Sequence, residues 1–109
     1  LAVDNAHGAY LRFLSPSLHP LDLGADLCCD SAHKTLPVLT GGAYLHVART
    51  APAALEENGK TALALFGSTS PSYLTLCSLD QCNRYLAEGY PARLQETVTQ
   101  LEALKAPCG

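Results

Sequence analysis

The chain has 109 residues, 48% of them hydrophobic and 16% charged, with a formal net charge of -3. That length fits one small domain with a single core, able to bury about 60 to 70% of the surface its unfolded form exposes. The seven Lys and Arg residues are scattered without a basic patch, which argues against nucleic acid or an anionic membrane as partner. No apolar run approaches the roughly 18 residues of a membrane span, and no basic stretch leads into a cleavage site, so a cytosolic home is the default expectation. The cysteines at 28, 29, 77, 82 and 108 form no CxxC pair and their odd number leaves one over, so reduced thiols acting as small core residues are expected. The first residue is Leu1 and the chain contains no methionine, which raises the expectation of a piece of a longer protein.

In chain order, Leu1-Ala2-Val3-Asp4 reads as the end of a buried strand that delivers an acid to its C-terminal edge, where open α/β sheets bind ligands. Residues 15–22 hold two prolines and several turn formers and predict an irregular connection, after which Gly24 leads into a second strand. Ala25 to Asp30 is a short apolar run suited to a strand buried on both faces, and it ends in the polar cluster Ser31-Ala32-His33-Lys34. After Gly41 and Gly42, the strand formers of Ala43 to Ala48 lie too close to the second strand for a helical crossover, so an antiparallel return is expected.

The remainder is helical. Pro52 to Asn58 suits one or two turns stopped by Gly59, and Lys60 to Phe66 a further short helix before Gly67. Ser70 is the expected N-cap and Pro71 the first residue of a helix running to Gly89, with Leu74, Cys77, Gln81 and Tyr85 at helical spacing. Pro91 to Lys105 places Leu94, Val98, Leu101 and Leu104 on one face of a last helix, closed by Pro107.

Chemistry concentrates at the two strand ends. A lone lysine is ordinarily a solvated surface residue, but Lys34 sits among hydroxyls and a histidine near the glycine pair, where desolvation would free its amine to bond an aldehyde cofactor. Asp4 alone would ordinarily cap a turn, yet at a strand end it is also suited to hold the proton of a pyridine ring nitrogen.

Taken together, Asp4-x-Ala6-His7-Gly8 and Ser31-x-His33-Lys34 resemble the pyridoxal-phosphate enzymes of the aspartate-aminotransferase fold, and among them the ornithine/lysine/arginine decarboxylases. A third block, Thr69-Ser70-Pro71-Ser72-Tyr73, is similar to a segment of the same family, so that the motifs span residues 3 to about 87. The resemblance implies an α/β fold, the C-terminal part of a mainly parallel three-layer α/β/α cofactor-binding domain present incompletely. Residues 1–50 would supply its strands and cofactor motifs, and 51–109 its helices and interface segment.

By the same resemblance Lys34 would carry pyridoxal 5'-phosphate, Asp4 would pair with the ring nitrogen, Ala6 would pack on the ring and His7 would lie near its hydroxyl. Ser31 and His33 would hold the phosphate, and Ser68, Thr69 and Ser70 would reach the cofactor of a neighbouring subunit in a homodimer. The implied reaction is decarboxylation of a basic amino acid. The family's phosphate loop, ring-stacking residue and C-terminal domain have no counterpart in these residues, and Asp30, Glu56 and Glu57 have no feature marking them for substrate recognition.

Other readings were weighed on the residues. A metal set drawn from His7, Cys28, Cys29, His33 and His46 is disfavoured, because adjacent Cys28 and Cys29 would point to opposite faces of a strand. Gly67-Ser68-Thr69-Ser70-Pro71 lacks the nucleophile elbow of a serine hydrolase. Transamination keeps the cofactor and changes the reaction, whereas a non-catalytic assembly module would use residues 68–105 chiefly to pack against a second chain. An incomplete sheet with an open edge also predicts association or swapping of the isolated chain.

Overall fold

A computed structural model describes residues 1–106. Strands β1 (Ala2–Asp4), β2 (Leu27–Asp30) and β3 (Tyr44–Val47) form one sheet in the order β1-β2-β3. β1 and β2 run parallel with Asp4 opposite Cys29, and β3 returns antiparallel with Asp30 opposite Tyr44. The return is forced by the short link between β2 and β3, which holds only the single helical turn α1 (Ala32–Thr35) and a turn through Gly41, whose φ of 96° suits glycine. The fold is therefore α/β, with a small mixed sheet. A 3-10 helix over Ala9–Phe13 follows β1, and residues 15–22 form the expected irregular connection.

The sheet has one covered face and one open face among the described residues. Alternation along β2 buries Cys28 and Asp30, and register places His46 and Tyr44 beside them. Cys29 points the other way and is exposed, so β2 is not buried on both faces; β1 likewise leaves Ala2 and Asp4 exposed rather than buried. Both strands carry the apolar residues of a two-sided strand, but no described element covers the second face.

On the covered side Ala9, Ala32, Leu36 and Cys82 form the core, edged by Tyr10, Val38, Tyr44, Leu79, Leu86 and Tyr90. Gly42 lies buried at the edge of this core. A methyl group on it would meet Val38 Cγ1 at 2.3 Å, and Val38 is β-branched and stiff. Gly42→Ala is therefore expected to destabilise the fold by about 1–3 kcal/mol through overpacking, read as a lowered denaturant midpoint at unchanged slope.

Three longer helices complete the chain. α2 (Ala53–Phe66) runs uninterrupted through Gly59, in place of two short helices. Glycine inside a helix costs about 1 kcal/mol relative to alanine, and the Ala, Leu, Glu and Lys residues around it suffice to carry the helix across. Gly67 does end it, donating its amide to the Leu63 carbonyl at 2.7 Å.

α3 (Tyr73–Ala87) begins two residues later than expected, because Ser72 and not Ser70 is the cap, its Oγ accepting from the Thr75 amide at 3.5 Å. Ser70 instead donates its amide to Ser68 Oγ at 3.1 Å, and the proline that follows it disfavours a helical conformation at Ser70. The face of α3 that meets the core is Leu79, Cys82 and Leu86, while Leu74, Cys77, Gln81 and Tyr85 are exposed. Gly89, at φ 90°, turns the chain into α4 (Tyr90–Lys105), whose Leu94 and Val98 are half-buried while Leu101 and Leu104 are exposed. The expected stop at Pro107 lies outside the described residues.

The chain exposes 7774 Å², against about 5,800 Å² for a compact monomer of its mass. Much of the excess is apolar, since α2 buries no residue and Phe66, Tyr73 and Leu74 stand 91%, 82% and 73% exposed along the α2–α3 connection. No helix among the described residues is long and apolar enough to cross a membrane.

Candidate functional site

Because β1 and β2 run parallel, their C-terminal ends emerge at the same edge of the sheet. Pairing continues past the strands, with the Asn5 amide donating to the Cys29 carbonyl at 2.9 Å and the Ser31 amide to the Ala6 carbonyl at 3.2 Å. The turn after β1 is organised by Asp4, whose Oδ1 accepts the Ala6 amide at 3.2 Å, and by the Gly8 amide donating to the Asn5 carbonyl at 2.9 Å. After β2 the chain enters α1, with the Lys34 amide on the Ser31 carbonyl at 3.0 Å and the His33 amide on the Gly42 carbonyl at 3.1 Å.

These two turns flank an open cleft of about 620 Å³ lined by residues 4–8 together with Tyr10, Leu11 and Lys34. Four predicted site residues, Asp4, Ala6, His7 and Lys34, are thus brought together from separate strand ends. Ser31 and His33 sit on the turn that carries Lys34, outside the lining of the cleft; Ser31 stands at the start of α1, and its hydroxyl caps no amide of that helix. Lys34 is exposed, so its expected desolvation is not supplied by the described residues. Ser68, Thr69 and Ser70 do not reach Lys34: they lie on the exposed α2–α3 connection, where Ser68 lines a separate groove of about 340 Å³ beside Gly41 and Gly42. An amine, a carboxylate and a small side chain around one cleft, with the Ser31 hydroxyl on the turn that carries Lys34, are a donor set that fits a pyridine aldehyde phosphate.

Beneath this edge, on the covered face, lies a group that the sequence reading did not single out. Asp30 is 3% exposed, and its Oδ2 accepts from His19 Nε2 at 2.8 Å and lies 3.1 Å from His46 Nε2. Its Oδ1 accepts from Asn5 Nδ2 at 2.8 Å and from the Cys28 thiol at 3.3 Å. Burial pushes the Asp30 carboxyl up, but the hydrogen bonds from His19, Asn5 and Cys28 outweigh it and hold the group below the ordinary carboxylate range. His19 comes from the irregular connection and has no periodic signal; only the alternation placing Asp30 and His46 on one sheet face was available to find the cluster.

His19, Asp30 and His46 are also the described residues whose ligand atoms, all within 4.8 Å of one another, could approach a metal ion. The set considered from sequence is not assembled, since Cys28 is buried, Cys29 faces the opposite side, and His7 lies in the cleft. The thiol of Cys28 is pushed up to about 12 by burial and by its bond to Asp30. In the folded protein Cys28 and buried Cys82 are therefore expected to resist iodoacetamide at pH 8 and to be alkylated only on unfolding, as mass mapping would show. Exposed Cys29 and Cys77 depart from the core role expected of every cysteine, and Cys108 lies outside the described residues.

Comparison with known proteins bears out the family resemblance. The Bacillus subtilis (strain 168) protein called Uncharacterized protein YaaO is 35% identical over 105 residues, covering 94% of this chain and 22% of its own length. The arginine decarboxylase of Halalkalibacterium halodurans is 35% identical over 86 residues, covering 78% of this chain and 17% of its own. That of Bacillus subtilis (strain 168) is 31% identical over 97 residues, covering 88% and 19%. The chain thus spans about a fifth of the length of these relatives, at 22%, 17% and 19%. The profile described as Orn/Lys/Arg decarboxylase, major domain, matches residues 1–107, and the chain belongs to that family.

Proposed function

We propose that the full-length protein is a pyridoxal-phosphate-dependent decarboxylase of a basic amino acid, and that this chain supplies the sheet edge that holds the cofactor. The observation that carries this reading is the convergence of Asp4, Ala6, His7 and Lys34 on one cleft from two parallel strand ends. When bound, the cofactor supplies an electron-withdrawing ring for the electrons of the breaking bond between Cα and the carboxylate. Lys34 would be the amine that holds its aldehyde. Asp4 would keep the ring nitrogen protonated through its negative charge, and its turn bond to Ala6 fixes where that charge sits. His7 would serve the ring hydroxyl, and Ser31 and His33 would hold the phosphate.

The names of two relatives make arginine the first substrate to try. A homodimer in the cytoplasm belongs to the same reading. The exposed apolar α2–α3 connection supports it as an interface that would bring Ser68, Thr69 and Ser70 to the neighbouring subunit's cofactor. The parent domain would be a mainly parallel three-layer α/β/α unit whose further elements cover the open sheet face.

The test is to incubate the full-length protein with arginine, lysine or ornithine, with and without pyridoxal phosphate, measuring carbon dioxide and the amine product. Cofactor-dependent release of carbon dioxide from one of the three is expected. Transfer of the amino group to a keto acid without carbon dioxide would move the protein to the aminotransferases, and dimerisation without turnover would make it an assembly module.

A further inference from the structure

Asp30 ties together the turn after β1, strands β2 and β3, and the connection that carries His19. Asn5 and Cys28 contact one of its carboxylate oxygens and the two histidine nitrogens flank the other, so the buried acid is ringed by polar partners on both sides. Burying a charge carries a desolvation cost that pairing offsets only in part in many proteins, and well-packed apolar residues in such places are often neutral or stabilising. An acid at this point therefore does something other than fill space.

One of its two shortest contacts, at 2.8 Å, is with Asn5, the residue immediately after Asp4, and Asp30 itself immediately precedes the turn that carries Lys34. Asn5 is confined on its other side too. A Cβ on Gly8 would fall 2.0 Å from Asn5 Oδ1, so the amide occupies space that only glycine leaves open.

We propose that Asp30 is a positioning residue: through Asn5 it fixes the turn bearing Asp4 and His7 relative to Lys34, while His19 and His46 hold Asp30 in place. Its consequence for the cofactor rests on the function proposed above, whereas the clamp itself can be tested without it.

Hydrogen bonding accounts for the cluster better than a metal does. The Leu21 amide donates to His19 Nδ1 at 3.3 Å, so that nitrogen is unprotonated and the proton sits on Nε2, aimed at Asp30. A metal on Nε2 would move the proton to Nδ1, where it would oppose the Leu21 amide.

The experiment uses the full-length protein and its Asn5→Ala and Asp30→Asn variants, first without cofactor, by hydrogen exchange. Asn5→Ala is expected to speed exchange at residues 5–8 and 31 by roughly tenfold or more, the factor lost with one hydrogen bond to a charged group, while β2 and β3 keep wild-type rates. Asp30→Asn should loosen the same residues.

With pyridoxal phosphate added, Asn5→Ala should weaken cofactor binding and cut the visible circular dichroism per bound cofactor, with kcat down roughly tenfold from misalignment. Wild-type exchange at residues 5–8 in both variants, or a rise spread evenly over all three strands, would overturn the clamp. So would stabilisation of the wild type, but not of His46→Ala, by zinc alone. Local loosening in a protein that never binds pyridoxal phosphate would uphold the clamp and sink the cofactor reading.

Discussion

Lys34→Ala in the full-length protein is expected to abolish the visible band formed with pyridoxal phosphate and to lower kcat by about 10³-fold or more, the scale seen when a covalent catalytic group is removed. Among the residues lining the cleft, Lys34 is the only side-chain amine, and Asp4, Ala6 and His7 share the cleft with it. Exposed amines elsewhere serve as internal controls. Lys60 lies on α2, and Lys105 sits 3.8 Å from Glu102 at the far end of α4. After borohydride reduction the label should map to Lys34 alone, and Lys60→Ala should leave band and turnover unchanged. Equal labelling of Lys34, Lys60 and Lys105 would mean that the cofactor reacts with surface amines, and the assignment would be lost.

The elements that local chemistry controls were legible in the sequence. The strand ends at Asp4 and Asp30, the antiparallel return of β3 and the helix after Gly89 each follow from short apolar runs, a short connection or a glycine in the left-handed region. Asp4 and Lys34 are placed together by the family resemblance, and the parallel pairing of β1 and β2 brings them to one edge. What failed depended on competition or on partners.

Gly59 is a stop signal in the sequence, but its neighbours are strong helix formers that carry α2 across it, and Ser70 and Ser72 offer the same capping hydroxyl, of which the structure uses Ser72. The face of α3 that meets the core is Leu79, Cys82 and Leu86 and not the series Leu74, Cys77, Gln81 and Tyr85 that recurs at helical spacing in the sequence, because spacing alone does not say on which side of the helix the core lies. The Asp30 cluster was invisible for a different reason. Its members are 11 and 16 residues apart from Asp30, and His19 sits in a connection without periodicity, so only the folded chain brings them together.

Asp4→Asn is expected to lower kcat roughly 10²- to 10³-fold, the loss seen when one preorganised electrostatic group is removed from an active site, with little change in thermal stability. The substitution separates the two tasks open to Asp4. Its Oδ1 accepts the Ala6 amide at 3.2 Å, and asparagine can keep that bond through its own carbonyl oxygen, so the turn survives. What asparagine cannot keep is the negative charge that, in the proposed reading, would hold a proton on the ring nitrogen. A loss of turnover at unchanged melting temperature and unchanged Lys34 labelling therefore assigns Asp4 to the electronics of the reaction. Asp4→Ala, which removes charge and turn bond together, should lose both turnover and cofactor affinity. If Asp4→Asn turned over like the wild type while Asp4→Ala did not, Asp4 would be a turn-former only, and the proton on the ring would have to be held by a residue outside this chain.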